Sequence, residues 1–365
     1  MPFQKIDGTY SVTSSIETDP TVRVAVERDY NEVDILVAAA GFEDRALQVL
    51  QTAEFAADAR CIILKYTNNL QENEQAFAKY RRLAHEKFGA ENTFVIEIGL
   101  DDIDDFSSRL SGLLNDLPRT LYRSAVDISG CTAYLICLVI KCLRERFPFG
   151  SQKVFYTSAK KYLPTFEDYE GMKAKAGGED IKFLPRSMAL EMSRNLVLDE
   201  FAGHRSRDAR SCLVIFAGYE IHRSSGVIDA VNPALLLLLY GRPGSASLEW
   251  RTDLSKQLHR TFENTRRTAS EVVSTLDPIE AIALLERYYQ FLTDEYDLVI
   301  SPICSKFNSV AAYLFWERYG EVQLTFPLPI GYDPKNGPTG VDTTYCLDLR
   351  PRKALVGLME QGPIR

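Results

Sequence analysis

A glycine and two ionisable residues directly follow an apolar run near the start of the chain. The run 33–40 ends at Gly41, and Glu43 and Arg45 come next. Glycine allows the chain to turn sharply, and the planar guanidinium group of an arginine can bind a phosphate. Glu43 can hydrogen-bond a ribose or the arginine, or act as a general base. Alternatively, acidic residues stabilise the first turn of a helix, which accounts for Glu43 but poorly for Arg45.

The same pattern recurs 177 residues later, counted from glycine to glycine. The run 211–217 ends at Gly218, and Glu220 and Arg223 follow, with one residue more between the acid and the arginine. A glycine after a strand is common, and neither segment has the spacing of the GxGxxG or GxxxxGK[ST] motifs. The repetition nevertheless predicts two related turns that can bind an anion at a helix N-terminus.

A second repeated turn is rich in small and hydroxylated residues. The strand-like segments 124–128 and 297–300 each lead into such a turn, and aligning Cys131 with Cys304 gives an offset of 173. Small residues allow a ligand to come close, and the helix after each turn directs its first N–H groups towards that ligand. The residues of these turns that we predict to bind a ligand are Ser129, Gly130, Thr132, Ser305 and Lys306.

Asp127 ends the strand before the first of these turns and, with Glu43, is a candidate catalytic residue. A carboxylate there can act as a general base, or it can orient the turn by accepting backbone N–H bonds, which we favour. The second copy has Ile300 or Ser301 near this position, so the fold does not require an acid. Cys131 begins a helix, where a thiol pKa can be lowered, but with no histidine near it in sequence we expect a packing role.

Alternating strands and helices must position these turns. Continuous apolar strands that alternate with helices predict parallel sheets covered by helices on both faces. We therefore predict an α/β fold of two tandem Rossmann-like units that are diverged copies of one another. Because ligands of such sheets bind beyond the carboxyl ends of the strands, all four turns should share one rim. A helical region at 255–294, split at Asp277 and Pro278, extends the second copy.

The length of 365 residues fits two domains. We expect an N-terminal arm at 1–30, a first unit at 31–187 and a second unit at 211–365. Between the units, residues 188–210 are predicted to form a linking helix, over 188–201, and a polar boundary.

Each unit is expected to continue past its last strand into a loop with a tyrosine. Tyr162 and Tyr332 lie in these loops, where they can stack on a nucleobase or close the edge of the sheet. The segment 327–342 is rich in proline and glycine and can serve as a lid or as a dimer arm.

The composition limits the possible partners. The net charge is −8, and non-specific binding of DNA or RNA draws on clustered lysine and arginine, so we do not expect it. The N-terminus lacks the apolar core of a signal peptide, and the apolar windows are shorter than the ~20 residues of a membrane span. We therefore expect a cytoplasmic protein without membrane contact. Seven scattered cysteines and four histidines predict buried thiols and neither a metal site nor a cofactor.

The segment Asp127-Ile128-Ser129-Gly130-Cys131-Thr132, followed by a long apolar helix, resembles CARF and related CRISPR-associated Rossmann-like sensor domains. The resemblance covers this turn with its flanking strand and helix in each half. It implies recognition of cyclic or linear oligonucleotide second messengers, commonly by dimers, and in some cases their cleavage. Two fused copies would then resemble a dimer, with the ligand across both turns.

The sequence departs from the family's pattern in this turn. The usual second glycine and the lysine after the threonine are replaced by Cys131 and Ala133, and Lys306 of the second copy falls opposite Ala133. These departures leave the identity of the ligand open. No separate effector nuclease domain is evident, so the resemblance implies an effector on another chain or degradation of the signal by this chain.

Three functions follow from these patterns. The first is a nucleotide- or oligonucleotide-binding sensor or accessory protein of bacterial antiviral defence, which implies a small anionic nucleotide-like ligand and a protein partner or effector chain. The second is a nucleotide-processing enzyme, a hydrolase or a glycosyl or phosphoryl transferase, that uses the same cleft. The third is a non-catalytic scaffold for protein interactions in which the turns are only structural.

Overall fold

A computed structural model describes the chain over six ranges: 22–68, 70–99, 103–117, 122–181, 187–204 and 210–351. Within them, the chain forms two sheets of mainly parallel strands flanked by helices, and one small two-stranded sheet. This architecture confirms the predicted α/β fold with Rossmann-like parallel sheets. No helix in these ranges is long and apolar enough to cross a membrane.

The first sheet has a core of five parallel strands. They are β2 (Ile35–Ala39), β3 (Arg60–Tyr66), β4 (Thr93–Ile98), β5 (Ser124–Asp127) and β6 (Gln152–Thr157). Their order across the sheet is β6-β5-β2-β3-β4. The accompanying helices are α1 (Glu27–Asn31), α2 (Gln48–Thr52), α3 (Leu70–Phe88), α4 (Phe106–Asn115), α5 (Ala133–Arg146) and α6 (Phe166–Ala176). All five residues of β2 are buried because alternate side chains pack into separate apolar clusters on the two faces.

The second sheet consists of five parallel strands. They are β8 (Arg210–Ala217), β9 (Leu235–Arg242), β10 (Thr268–Ser274), β11 (Tyr296–Pro302) and β12 (Gln323–Leu324). Their order is β12-β11-β8-β9-β10. The helices are α7 (Ile221–Val231), α8 (Trp250–Thr265), α9 (Pro278–Leu292) and α10 (Lys306–Arg318). Asp277 caps α9 as predicted, since its carboxylate accepts the backbone N–H of Ile279 at 2.9 Å.

The two parallel cores repeat one topology. Numbered in chain order within each core, both have the strand order 5-4-1-2-3, which is the order of a doubly wound Rossmann sheet. The first strand lies at the centre of each core, so the turn after it opens at the middle of the carboxyl edge. The register also identifies the counterpart of Asp127. Ala38 of β2 pairs with Asp127 and Ile215 of β8 pairs with Ser301, so Ser301 takes the place of the acid.

The predicted helix over 188–201 is wrong. The structure has instead strand β7 (Met192–Leu196) and a short 3-10 helix (Asp199–Phe201). Strand β7 pairs antiparallel with β13 (Phe326–Pro329), which follows the second sheet, and this long-range pairing overrides local helix propensity. The predicted polar boundary that follows, up to residue 210, lies mostly outside the described residues.

The predicted helical region 255–294 is interrupted by β10, which lies between α8 and α9. Strand β10 is an edge strand with mostly half-exposed residues, and it lacks the continuous apolar run that marks the central strands. The local pattern around it therefore favoured helix over strand.

Residues near both ends of the described chain join the first sheet. Strand β14 (Thr344–Leu349) pairs antiparallel with β6, and β1 (Val22–Val24) pairs antiparallel with β14. Residues 344–349 belong to the predicted second unit, but in the structure they join the first sheet. Of the expected N-terminal arm, only the part from residue 22 onwards is described, and it forms β1 and α1.

The two units share one continuous core. Helix α5 of the first unit packs against α10 of the second, and the thiol of Cys137 lies 3.6 Å from the carbonyl oxygen of Ser309. Buried apolar residues of both helices belong to the same cluster. The rims formed by the carboxyl ends of the two parallel cores are thereby held together.

Candidate functional site

A cavity of about 780 Å³ lies between the two units at the carboxyl ends of their parallel strands. Its wall contains ten of the twelve residues that the sequence analysis nominated. They are Gly41, Glu43, Arg45, Gly130, Thr132, Gly218, Glu220, Arg223, Ser305 and Lys306. The structure therefore brings both pairs of turns to one hollow, as the repeated pattern predicted.

The other two nominated residues, Ser129 and Asp127, lie beneath the wall and do not line the cavity. The Asp127 carboxylate accepts hydrogen bonds from the backbone N–H of Ser129 at 2.9 Å and from its hydroxyl at 2.5 Å. The same hydroxyl accepts the backbone N–H of Thr157 at 2.8 Å. Burial raises the pKa of Asp127 to about 6. These contacts join the ends of β5 and β6 and match the turn-orienting role favoured for Asp127.

Glu43 and Arg45 form an ion pair in the cavity wall. Both side chains are largely buried, with 9% and 6% of their surface exposed. The Arg45 guanidinium also donates to the hydroxyls of Tyr156 at 3.0 Å and Tyr162 at 3.2 Å, and to the carbonyl oxygen of Thr157 at 3.4 Å. Arg45 is thus neutralised by Glu43 and holds the strand end and the loop of its own unit.

Glu220 and Arg223 repeat this arrangement in the second unit. Arg223 pairs with Glu220 at 2.8 Å and donates to the carbonyl oxygen of Pro327 at 3.1 Å. Glu220 also accepts a hydrogen bond from the hydroxyl of Ser187. Burial alone would raise the pKa of Glu220, but the charge of Arg223 and the hydrogen bonds from Ser187 and Arg223 together hold the pKa below its ordinary value. Each unit therefore contains a neutralised glutamate–arginine pair whose arginine also donates to a backbone carbonyl, of Thr157 in the first unit and of Pro327 in the second.

The two turns of the first unit pack backbone against backbone. A Cβ atom added to Gly130 would lie 2.4 Å from the carbonyl oxygen of Ala39, and one added to Gly41 would lie 3.3 Å from that of Gly130. Tyr66 fixes the same turn, because its hydroxyl donates to the carbonyl oxygen of Gly130 at 3.0 Å and accepts the N–H of Thr132 at 3.1 Å. Only glycine fits at position 130, and Tyr66 was not anticipated from the sequence.

Lys306 begins α10 as predicted but reaches across to the first unit. Its ammonium group donates to the carbonyl oxygen of Cys131 at 2.6 Å. Within the described ranges, no carboxylate lies within 4.0 Å of it. Burial lowers the pKa of Lys306. The preceding Ser305 caps the helix, since its hydroxyl accepts the N–H of Asn308 at 3.1 Å.

Arg251, in the first turn of α8, is a wall residue that the sequence analysis missed. Its Nη2 donates to the carbonyl oxygens of Tyr162 and Pro164, both at 2.9 Å. Its guanidinium carbon lies 4.8 Å from the ring centre of Trp250 and 5.8 Å from that of Tyr219. Its position could have been predicted, because β9, the turn after it and α8 form a strand–turn–helix segment like those that contain the nominated turns.

The tyrosine loops of the two units meet at the cavity. Lys161 and Thr339 form an antiparallel bridge, with N–H to carbonyl distances of 3.1 and 2.9 Å. The hydroxyl of Tyr162 also accepts the N–H of Ala159 at 2.8 Å, and burial raises the pKa of Tyr332. Both tyrosines line the cavity, so the segment 327–342 contributes to the wall on the side of the first unit's loop.

The cavity is positively charged although the chain is acidic. Its basic wall residues are Arg45, Lys160, Lys161, Arg223, Arg251 and Lys306. Its acidic wall residues are Glu43, Glu220 and Asp342. The wall thus carries an excess of three positive charges, whereas the whole chain has a net charge of −8. Such a concave, basic surface attracts anionic ligands.

The thiols at the cavity are not activated. Burial raises the pKa of Cys131 to about 12 and that of Cys304 to about 12. Both thiols are therefore protonated at neutral pH and are poor nucleophiles. This agrees with the packing role expected for Cys131.

One group of side chains away from the cavity has the spacing of a metal site. The ligand atoms of Asp29, Cys346 and Asp348 lie within 4.8 Å of one another. Asp29, however, pairs with Arg23 and, at 3.0 Å, with Lys153, and burial raises the pKa of Cys346 to about 12. Because cations already occupy the carboxylates and the thiol is protonated, these residues act as an ion-pair cluster that attaches β14 to its sheet.

Comparison with known proteins gives only distant likenesses. No protein-family model and no curated protein matches the chain. One similar solved structure is a type III CRISPR defence DNA nuclease that is activated by cyclic oligoadenylate. The match has 12% identity and a TM-score of 0.45, and it covers 77% of this chain but 63% of the nuclease, less than two thirds of its length. Another is the N-domain of a bacterial malonyl-CoA reductase with NADP, at 9% identity and a TM-score of 0.24, covering 80% of this chain and 81% of that one.

Proposed function

We propose that the protein is a sensor or accessory protein of bacterial antiviral defence that binds a nucleotide or oligonucleotide second messenger in the cavity between its units. The observation that carries this proposal is the excess of positive charge in a concave wall built from the turns of both units, in an acidic chain. The volume of about 780 Å³ falls in the range of small-molecule sites, roughly 300–1,000 Å³. The sequence resemblance of the 127–132 turn supports the link to defence.

The chemistry of the wall suits the two parts of a nucleotide. Cationic side chains and the uncapped N-terminus of α5, whose N-cap Thr132 makes no side-chain cap, can bind phosphate. Aromatic side chains such as Phe42 and Tyr332 also line the cavity and can stack on a base. A ligand of this class would contact both units at once, and a protein partner or effector chain would respond to it.

We further propose that the first and second units are diverged copies and are the natural domains of the chain. The shared strand order and the recurrence of the glutamate–arginine pair support this proposal. The crossing of β14 into the first sheet means that the domains are interlocked. In a fused pair of this kind, the two halves of one binding site can carry different residues.

Thermal unfolding with a panel of nucleotides tests the proposed function. The panel contains mononucleotides, linear oligonucleotides and cyclic oligonucleotides, and a ligand at 100 times its Kd should stabilise the folded state by about 2.7 kcal/mol. Lys306→Met should reduce the shift. Arg82→Met, which removes a charge from an exposed face of α3, should retain it. If no member of the panel shifts the unfolding temperature, the proposal is wrong.

Mass spectrometry of the same mixtures separates a sensor from an enzyme. A sensor leaves the bound nucleotide intact over many binding lifetimes. Accumulation of product, lost in Glu43→Gln, would instead support the nucleotide-processing alternative that the sequence analysis raised for this residue.

A further inference from the structure

The basic residues of the cavity wall differ in whether their charge is neutralised. Arg45 and Arg223 each pair with a glutamate of their own unit. Lys160 and Lys161 are exposed, so water solvates their charges. Arg251 and Lys306 are half-buried, and within the described ranges neither has a carboxylate within 4.0 Å. These two are therefore the cations that an anionic ligand can neutralise.

Both unpaired cations belong to the second unit and reach backbone carbonyls of the first. Lys306 donates to Cys131, and Arg251 donates to Tyr162 and Pro164. Carbonyl oxygens orient these cationic groups but do not neutralise their charge. A half-buried charge without a counter-ion raises the free energy of the folded state. The Nε of Arg251 is in addition a buried donor with no partner among the described residues. The wall thus holds two oriented cations that lack an anion.

The two cations line the same cavity. The ring centre of Tyr162 lies 5.7 Å from the guanidinium carbon of Arg251 and 5.6 Å from that of Arg45, so these side chains are neighbours along the loop of the first unit. Lys306 extends from the second unit to the turn that contains Cys131, in the same wall. One anionic ligand in the cavity can therefore contact both unpaired cations.

The first unit has no counterpart of either cation. At the offset of 173, Lys306 corresponds to Ala133. Helix α3 occupies the place of α8 in the first unit and begins Leu-Gln-Glu-Asn, without the Trp-Arg pair of α8. The glutamate–arginine pair is present in both units, whereas the two unpaired cations are present only in the second. A ligand with two equivalent anionic halves would leave one half facing Ala133.

We propose that the cavity selects a linear nucleotide or oligonucleotide that carries a terminal phosphate, bound by Lys306 and Arg251, over a two-fold symmetric cyclic one. This inference rests on the proposed function and names its ligand class. A terminal phosphate carries a charge of about −1.5 to −2 at pH 7, which matches two cations, whereas each internal phosphodiester carries a single charge.

Calorimetric titration of the full chain with three probes tests this inference. The probes are a linear dinucleotide with a 5′-phosphate, the same dinucleotide without it, and the cyclic dinucleotide of the same bases. We expect the phosphorylated linear probe to bind about tenfold more tightly than either of the others. Lys306→Met and Arg251→Met should each remove this preference, because they should weaken the binding of the phosphorylated probe about tenfold more than that of the unphosphorylated one. Lys306→Arg should restore it, and Arg82→Met should have no effect.

The outcomes separate the two proposals. If the cyclic probe binds as tightly as the phosphorylated linear one, or if both variants weaken all three probes equally, the selection for a terminal phosphate is wrong while nucleotide binding stands. If none of the probes and no member of the wider panel binds, the proposed function fails together with it. Unfolding curves of each variant without ligand show whether a loss of affinity reflects a loss of fold.

Discussion

Arg144 of α5 and Glu317 of α10 form a buried ion pair across the contact between the two units, with Nε of the arginine 2.8 Å from Oε1 of the glutamate. The two positions are 173 residues apart, the offset that also relates Cys131 to Cys304. They therefore occupy equivalent places in the repeat but carry opposite charges. A contact between two identical first units through this face would bring Arg144 against Arg144, so the ion pair fits only the contact between unlike units.

Removing one member of this pair should destabilise the whole chain. Arg144→Met leaves Glu317 buried without its counter-ion, and such changes cost about 3–5 kcal/mol. The free energy of unfolding from urea titration measures the effect. The matched control is Arg318→Met, at the end of α10 next to Glu317, which removes an arginine from an exposed pair with Glu286 and should cost about 1 kcal/mol or less. Equal losses for the two variants would contradict a specific role of the inter-unit pair.

Gly130 should not tolerate even a methyl group. The Cβ of Gly130→Ala would lie 2.4 Å from the carbonyl oxygen of Ala39, so the two turns must separate, at a cost of about 1–3 kcal/mol. Gly112→Ala is the control, because an added Cβ there meets nothing within 4 Å. As a helical glycine, Gly112 should gain up to about 1 kcal/mol on substitution. Urea unfolding of both variants gives the comparison, and a neutral Gly130→Ala would refute the close packing of the turns.

The parts of the fold that the sequence predicts are those with a strong local pattern. The central strands β2, β5, β8 and β11 are short and mostly buried on both faces, so each contains an apolar run that can be recognised in the sequence. The turns after them, which contribute ten nominated residues to the wall of the cavity, could be placed at one rim because parallel strands share a direction.

The parts that the sequence did not predict depend on contacts between distant residues. Strand β7 is only partly buried and is defined by its pairing with β13, and β14 joins a sheet whose neighbouring strand lies almost 190 residues earlier in the chain. The pairing of Arg45 with Glu43 is among the predicted alternatives, because the two residues are close in sequence. The aromatic surroundings of Arg251, in contrast, arise from three separate segments. No local pattern encodes such a cluster.

Tyr66→Phe should loosen the turn at the N-terminus of α5. The lost hydroxyl leaves the carbonyl oxygen of Gly130 and the N–H of Thr132 without the partner they have in the structure, which should cost about 1–2 kcal/mol. Tyr80→Phe is a matched control, because the buried Tyr80 hydroxyl has no hydrogen-bond partner within the described chain and its removal should be neutral or stabilising. The unfolding free energies of the two variants should therefore differ in sign or clearly in size, and nucleotide affinity should fall only in Tyr66→Phe.

Asp127 should make the stability depend on pH in the direction opposite to that of the ion-paired acids. Burial raises its pKa from 3.8 to about 6 in the folded state, so the folded chain binds this proton more tightly than the unfolded chain does. The stabilisation is fully present below about pH 4 and is lost as the pH rises to about 6, by an amount on the order of 3 kcal/mol. Asp127→Asn cannot ionise, and its amide oxygen can still accept the hydrogen bonds from Ser129.

Urea unfolding of the wild type and Asp127→Asn at pH 4, 5, 6 and 7 measures this effect as the difference between their unfolding free energies. The variant should gain relative to the wild type as the pH rises, and the difference should level off above about pH 6, when Asp127 is ionised. Because titration of all other groups is common to both proteins, it cancels in the difference. The exposed Asp58→Asn controls for the removal of one negative charge and should run parallel to the wild type. A flat difference would mean that the hydrogen bonds of Asp127 offset the penalty of burial, so that its pKa is not raised. A difference that favours the wild type at higher pH would mean that they outweigh this penalty and lower the pKa.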